Sequence, residues 1–187
     1  KYANYILNQR TKEQTVAFVS GLKSVLPDAS LDLFFPDEIQ KLISGGVNDI
    51  SIQDLMANTR FNGYNVDERA LKTMHLDDTP DDKIEDTSYI LEFFAYLGSL
   101  PNEQKERFLQ FSTGTNRPPL LGFKYMYPNF ALVKIPVESP DVLRLCSAST
   151  CGNMFKLPFF GTSSKGLEKM RQSVHKSINS GAGFDFA

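Results

Sequence analysis

An acidic tract between residues 65 and 87 is the feature that most limits how this chain can fold. Its sequence, "NVDERALKTMHLDDTPDDKIEDT", contains eight acidic residues and few large apolar ones. Such a segment buries too little apolar surface to offset the conformational entropy that it loses on folding. We therefore interpret the tract as a mobile linker with one structural unit on each side.

The segment before the tract has the apolar periodicity of helices. Residues 12–26 carry valines and leucines at helical spacing. "FPDEIQKLISGG" is typical of a short helix, with Pro36 in the first turn and two glycines at the end. In "SIQDLMANT", Ser51 is followed three residues later by Asp54, which resembles a capping box. We predict two or three helices with short connections over residues 1–65.

The segment after the tract mixes helices with short strands. "SYILEFFAYLGSL" and "NEQKERFLQF" have helical periodicity. A last helix begins near Ser163, and its apolar face consists of Leu167, Met170, Val174 and Ile178. "NFALVKI" and "NMFKLPFF" are rich in β-branched and aromatic residues, which favours strands. We predict an α+β fold in which residues 1–65 are helical, residues 66–87 form the acidic linker, and residues 88–187 form a small α+β unit with a short sheet.

Composition and charge exclude several classes of function. The net charge of −2, with 41% apolar and 22% charged residues, is that of an ordinary soluble globular protein. Nucleic-acid binding would need a clustered excess of Lys and Arg, and no apolar run reaches the roughly 18 residues of a membrane span. We therefore expect neither nucleic acid nor a membrane as partner. Because the N-terminus, "KYANYILNQRTKEQ", is too polar for a signal peptide and does not begin with Met, we expect it to be a cut inside a longer protein.

Both cysteines, Cys146 and Cys151, lie in "RLCSASTCGNMFKLPFF". By themselves they allow a disulfide, a pair of metal ligands, or one reactive thiol beside an inert one. Two cysteines do not make a secreted disulfide framework, so we expect a reducing compartment, the cytosol or the nucleus. A zinc site would need distant further ligands, since the chain has only His75 and His175. We expect no metal and no cofactor, because no Gly-rich phosphate loop, HExxH or CxxC motif occurs.

Five further stretches occur in a fixed order over residues 15–187. They are "FFPDEIQKLISG", "ISIQDLMANTRFNGYN", "ERFLQFSTGTNRPPLLGF", "SASTCGNMFKLPFF" and "GAGFDFA". In this order they resemble the C-terminal half of a HECT-type ubiquitin ligase catalytic domain: the end of the N-lobe, the start of the C-lobe, the active-site segment and the tail. The ending and the "PPLLGF" loop are most similar to the branch of this eukaryotic family that extends chains on proteasome-bound substrates.

The resemblance implies a ubiquitin transferase. Family members accept ubiquitin from a conjugating enzyme as a thioester on a cysteine and pass it to a substrate lysine. Carried onto this chain, the acceptor is Cys151, because it alone occupies the Thr-Cys position. Thr150 is implied either to support the site through its hydroxyl or to fix the loop, and Asn153 is implied to hydrogen-bond within that loop. In the tail, Phe184 is implied to place the tail for transfer. A carboxylate near the thioester could orient the lysine or accept its proton, and Asp185, next to Phe184, is the candidate for this role.

The resemblance also implies partners and a motion. The partners are ubiquitin, a conjugating enzyme bound through the upstream N-lobe, protein substrates and, for the branch named above, the proteasome. The acidic tract resembles an insertion at or just before the hinge between the lobes, so we predict that it allows the lobes to reorient. Because that upstream part of the N-lobe is absent, we expect little or no charging of the isolated chain by a conjugating enzyme.

Two positions depart from the family pattern. Many members have His just before Thr-Cys, and here the residue is Ser149, so no mechanism should depend on a neighbouring imidazole. Cys146 lies where relatives often carry Pro, and we interpret it as a small buried or loop residue.

Two other functions fit the residues. The chain could hold ubiquitin without being charged, since the surface that recruits the conjugating enzyme lies upstream. It could also be a cysteine peptidase that uses Cys151 and His175, although no Asn or Asp that would orient the imidazole is evident.

Overall fold

The architecture comes from a computed structural model, which describes residues 2–26, 33–44, 49–76, 85–139 and 142–180. The chain divides into two compact units, Lys1–Ser44 and Gly45–Ala187. Helices and a small sheet together confirm the predicted α+β class. Within the described ranges, no helix combines the length and the apolar character needed to cross a bilayer.

The first unit is helical, as predicted. Its elements are α1 (Tyr2–Asn4), a π-helical turn (Tyr5–Gln9), α2 (Lys12–Val25) and α3 (Pro36–Ser44). Pro36 begins α3, and the Glu38 carboxylate accepts the N–H of Phe35 at 2.8 Å. None of the residues of α2 is buried, and Phe18 is 67% exposed. The apolar face of α2 is therefore left exposed.

The second unit is a sheet covered by helices. Its helices are α4 (Ile52–Ala57), α5 (Glu68–Thr73), α6 (Glu85–Ser99), α7 (Asn102–Thr113) and α8 (Ser164–Asn179). Its strands are β1 (Arg60–Asn62), β2 (Ala131–Pro136), β3 (Ser147–Ser149) and β4 (Met154–Phe159). The strand order is β1-β2-β4-β3, in which β1 and β4 run parallel to β2, and β3 is antiparallel to β4.

The longer elements confirm the sequence patterns, and two short strands were missed. Strands β2 and β4 occupy the segments predicted for them, and α8 begins after Ser163, whose Oγ accepts the N–H of Gly166 at 3.1 Å. Strands β1 and β3 have three residues each, too few for an alternating pattern to show. They form because a neighbouring strand supplies the hydrogen-bonding partners.

An aromatic cluster joins the sheet to the helices. Phe155 of β4 is fully buried, and its ring stacks on that of Phe93 of α6, with centroids 5.7 Å apart and planes at 22°. The ring of Phe108 of α7 lies 5.0 Å from that of Phe155. Side chains of this size contribute most of the burial in a small core. The cluster therefore fixes β4 against two helices.

The N-terminal flank of the acidic tract is structured, which its composition did not predict. Asp67 caps α5 by accepting the N–H of Arg69 at 2.9 Å, and Leu71 of this helix is buried. One cap and one buried leucine are enough here because α5 packs on α4 of the same unit.

The C-terminal flank of the tract is anchored as well. Asp86 is buried and forms an ion pair with Lys134 of β2, and it also accepts the N–H of Asn65 at 2.7 Å. The Lys134 ammonium lies 3.8 Å from the centroid of the Phe159 ring. A carboxylate with these partners can be buried, so Asp86 belongs to the folded unit. Residues 77–84 lie outside the described residues.

The predicted boundaries at residues 65 and 87 separate two lobes that are expected to reorient relative to each other, and these boundaries remain predictions. The structure adds that β1, placed before the first boundary, pairs with β2, placed after the second. Residues 60–62 therefore share one sheet with the predicted C-lobe.

Gly166, in the first turn of α8, allows the helix to approach the end of β4. A Cβ at this position would lie 2.5 Å from the carbonyl oxygens of both Phe160 and Gly161. Backbone atoms cannot move aside as a flexible side chain can. We expect Gly166→Ala to lower the free energy of unfolding by about 2 kcal/mol, measured by urea denaturation followed by circular dichroism.

Gly98→Ala is the matched control, because a Cβ there would meet only the Cδ1 of Leu76, at 3.3 Å. We expect it to remain within about 1 kcal/mol of the wild type. Equal losses for both variants would contradict the steric explanation.

Candidate active site

Cys151 lies at the tip of the hairpin formed by β3 and β4. Ser149 pairs with Met154, so residues 150–153 form the connection between the strands. Thr150–Gly152 is a turn of 3-10 helix, closed by the N–H of Asn153, which donates to the carbonyl of Thr150 at 3.3 Å. Cys151 is exposed and its thiol is free. The turn thus presents this thiol to solvent.

Asn153 holds the turn to the segment that precedes β2. Its backbone is left-handed, with φ of 49°, a conformation that Asn tolerates better than most residues. Its side-chain amide donates to the carbonyl of Pro128 at 2.7 Å, and its own carbonyl accepts the N–H of Ala131 at 2.9 Å. The side-chain hydrogen bond expected of Asn153 exists, but it reaches a different segment of the chain rather than its own loop.

Thr150 packs against the end of α7. Gly114 ends this helix in the left-handed conformation, and its N–H donates to the carbonyl of Gln110 at 3.0 Å. The Cβ of Thr150 lies 3.7 Å from the position that a Cβ of Gly114 would take. Among the residues that the structure describes, the Thr150 hydroxyl forms no hydrogen bond. Thr150 therefore contributes packing, and it brings the "STGT" and "STCGN" segments together.

A carboxylate of α4 holds the loop that follows α7. Ser51 caps α4 by accepting the N–H of Asp54 at 3.2 Å, as the capping motif predicts. The Asp54 carboxylate does not bond back to Ser51; instead it accepts the N–H of Phe123 at 2.8 Å and the side-chain amide of Asn58 at 2.9 Å. Sequence reasoning missed this contact because the local motif already accounted for Asp54.

Cys146 lies directly before β3 and packs against α8. Its thiol is inert because it is buried. Its N–H donates to the Oγ of Ser177 at 2.9 Å, and its Sγ lies 3.3 Å from the Oγ of Ser173. Burial raises the pKa of the Cys146 thiol to about 12. The prediction of a small buried or loop residue is confirmed, because Cys146 is buried in the segment directly before β3.

The two cysteines are not linked to each other. Both cysteines are free, so they form no disulfide with each other. Across the described part of the chain, no three His, Cys, Asp or Glu side chains lie close enough together to hold a metal ion.

The remaining candidate residues are His175, Phe184 and Asp185. His175 is exposed on α8, where its Nδ1 lies 3.4 Å from the Nδ2 of Asn179. In the described ranges, no hydrogen bond joins His175 to Cys151, so the peptidase pair gains no support. Phe184 and Asp185 lie outside the described residues.

Comparison with known proteins finds ubiquitin-protein ligases that are similar to this chain along nearly its whole length. A HECT-domain (ubiquitin-transferase) family profile matches residues 1–187. The chain is 32% identical to the E3 ubiquitin-protein ligase HUL5 of Saccharomyces cerevisiae over 187 residues, which cover 100% of this chain and 18% of that protein. It is 30% identical to the E3 ubiquitin-protein ligase UPL6 of Arabidopsis thaliana over 189 residues, 99% of this chain and 16% of that protein. It is 29% identical to the ubiquitin-protein ligase E3B of Mus musculus over 202 residues, 96% of this chain and 17% of that protein.

The two thiols should differ sharply in reactivity. At pH 8, a thiol with a pKa of about 12 is ionised to about one part in ten thousand, and Cys146 is also shielded from reagents. We expect iodoacetamide to alkylate Cys151 in the native chain and to leave Cys146 unmodified, as read by peptide mass spectrometry. In urea both should react. Equal labelling of the two thiols in the native chain would contradict the structure.

Asn153 contributes to the stability of the fold through both its backbone conformation and its side-chain hydrogen bond. Two variants separate these contributions. Asn153→Ala loses the bond to Pro128 and places a less tolerant residue at positive φ, whereas Asn153→Gly loses only the bond. We expect the alanine variant to be less stable than the glycine variant by about 1 kcal/mol in urea denaturation. A glycine variant that is the less stable of the two would show that φ is not the constraint.

Proposed function

The chain belongs to the HECT family of ubiquitin-transferase domains, and from this premise we propose that Cys151 accepts ubiquitin as a thioester and passes it to a lysine amine. The observation that carries the proposal is the contrast between the two thiols. Cys151 is exposed at the tip of a hairpin, while Cys146 is buried and hydrogen-bonded to α8. Only one thiol in the chain can meet a partner protein.

The first step exchanges one thioester for another. The Cys151 thiolate attacks the carbonyl carbon at the ubiquitin C-terminus, a new S–C bond forms, and the donor sulfur leaves as a thiolate. Because the bond broken and the bond formed are of the same kind, the exchange is nearly isoenergetic. A thiolate is a strong nucleophile, so an accessible thiol needs only modest activation.

The second step needs a base. The lysine amine, with an ordinary pKa near 10.4, must lose a proton before its nitrogen attacks the thioester and Cys151 leaves as a thiolate. Ser149, beside the turn, is not a base, and no described acid or base is hydrogen-bonded to Cys151. We propose that Asp185 orients the lysine or accepts its proton and that Phe184 places the tail for transfer. The role of Phe184 rests on the family resemblance, and that of Asp185 on its carboxylate and its place next to Phe184 in the sequence.

The partners follow from the same proposal. They are ubiquitin, a conjugating enzyme engaged through the upstream N-lobe, and protein substrates, including substrates on the proteasome. The chain spans between 16% and 18% of the length of the relatives named above, whose names describe them as ubiquitin-protein ligases. We place this activity in the cytosol or nucleus.

The fold limits the lobe motion that the acidic linker can allow. Residues 66–87 are proposed to let the lobes, residues 1–65 and 88–187, reorient between the two steps. If residues 1–65 turned as one body, β1 would separate from β2 and Asp54 from Phe123, so both contacts belong to one orientation of the lobes.

The test supplies the chain with ubiquitin whose C-terminus is a thioester of 2-mercaptoethanesulfonate, so that no conjugating enzyme is needed. We expect a ubiquitin adduct on non-reducing gels that a thiol reductant removes. The adduct should be absent from Cys151→Ala and present in Cys146→Ala.

Two results would contradict the proposal in different ways. Binding of ubiquitin by the wild type without a covalent adduct would favour a binding module. An adduct that persists in Cys151→Ala would show that the acceptor residue is wrongly assigned.

A further inference from the structure

We propose that Asp54 is a positioning residue for the Cys151 thiol, acting through the segment from Gly122 to Ala131 and through Asn153. The inference rests on the proposed function, because its reaction is the transfer of ubiquitin to Cys151. Asp54 lies on α4, about a hundred residues before the thiol in the sequence, and touches neither the thiol nor its turn in the described hydrogen bonds.

The first link is the bond between Asp54 and Phe123. The Asp54 Oδ2 accepts the Phe123 N–H at 2.8 Å, and Phe123 is 2% exposed. Gly122, with φ of 93°, brings the backbone so close that a Cβ there would lie 3.0 Å from the same oxygen. With Asp54 removed, the Phe123 N–H would lose its hydrogen-bond partner in a site with little water, so the segment would have to shift to find another.

The second link is the main chain that leads from Phe123 to Phe130. The N–H groups of Tyr125 and Met126 donate to the carbonyls of Gly122 and Phe123, both at 3.1 Å, which makes a closed 3-10 turn. The Phe130 side chain at the far end is 1% exposed. The closed turn and the buried Phe130 hold the two ends of the segment, so a shift at Phe123 would act on Pro128 and Ala131 through the short main chain between them.

The third link is the attachment of the thiol turn to this segment. Asn153 follows Cys151 by two residues and bonds to both sides of Phe130, through the Pro128 carbonyl at 2.7 Å and the Ala131 N–H at 2.9 Å. A displacement of the segment therefore displaces the turn that carries the thiol.

The chemistry of the carboxylate fits this role. Oδ2 accepts from Phe123, and Oδ1 accepts from the side chain of Asn58 at 2.9 Å, so the two oxygens are held in a fixed orientation. An asparagine at position 54 keeps one oxygen for Phe123, whereas an alanine keeps none. Asp54→Asn and Asp54→Ala therefore separate the loss of a charge from the loss of the hydrogen-bond acceptor.

The experiment compares two reactions of the same thiol. One is charging by the mercaptoethanesulfonate thioester of ubiquitin, which needs the turn to meet a protein in one orientation. The other is alkylation by iodoacetamide, which reaches an exposed thiol from many directions. We expect Asp54→Ala to slow charging about tenfold and to change alkylation less than twofold, because misplacement costs most where orientation is strict. Asp54→Asn should retain at least half of the wild-type charging rate.

Ser163→Ala is the matched control for stability. It also removes a side-chain oxygen that accepts a main-chain N–H at the start of a helix, but Ser163 follows the end of β4 opposite the thiol turn. It should lower the melting temperature and leave the charging rate within twofold of the wild type. A double variant tests whether Asp54 and Asn153 act on the same segment. If they do, the double variant Asp54→Ala/Asn153→Ala should be charged no more slowly than the slower of the two single variants.

A spectroscopic readout keeps the proposal testable without ubiquitin. In amide NMR spectra, Asp54→Ala should shift the backbone signals of residues 150–153, and Asp54→Asn should leave them near their wild-type positions. A wild type that is never charged would overturn the proposed function, while these shifts would still test the positioning role. Unmoved signals, an unchanged charging rate in Asp54→Ala, or equal slowing of charging and alkylation would overturn the role of Asp54.

Discussion

The packing of Phe155 is the interaction on which the rest of the second unit depends. Its ring stacks on Phe93 and contacts Phe108 and Phe111, so that one side chain of β4 is held by two helices. Strand β4 pairs with both β2 and β3, and the thiol turn begins where β3 ends. Burial of large aromatic rings in low-energy packing leaves little freedom for the strand that carries them. The core thus holds β4, and β4 with β3 determines the position of the turn that carries Cys151.

Contacts of the two residues that flank Cys151 and Gly152 determine the orientation and the exposure of the thiol. Asn153 attaches the turn to the segment before β2, and Thr150 packs on the end of α7. Neither contact covers Cys151, which remains exposed, while Cys146 is enclosed by α8. A thioester carrier needs this combination, because the carried protein requires open space around the sulfur and transfer requires a defined orientation.

Much of this could be predicted from the sequence, and the rest depends on contacts between distant residues. Helical periodicity and strand composition located α2, α6, α7, α8, β2 and β4, and the family motif singled out Cys151. Strand β1 escaped detection because three residues carry no period, and it forms only where β2 offers an open edge. The anchoring of Asp86 was missed because composition cannot show that Lys134 lies opposite it. The capping motif accounts for Asp54 locally, and no local pattern indicates its bond to Phe123, which spans 69 residues.

The most direct measurement of the central claim replaces the Cys151 sulfur by oxygen. Cys151→Ser, incubated with the ubiquitin thioester, should slowly form an oxygen ester, because a hydroxyl is a weaker nucleophile than a thiolate. The account predicts an adduct that survives dithiothreitol, is cleaved by hydroxide, and maps to residue 151 in peptide mass spectra. An adduct of Cys151→Ser that dithiothreitol still removes would place the ubiquitin on another sulfur and contradict the account.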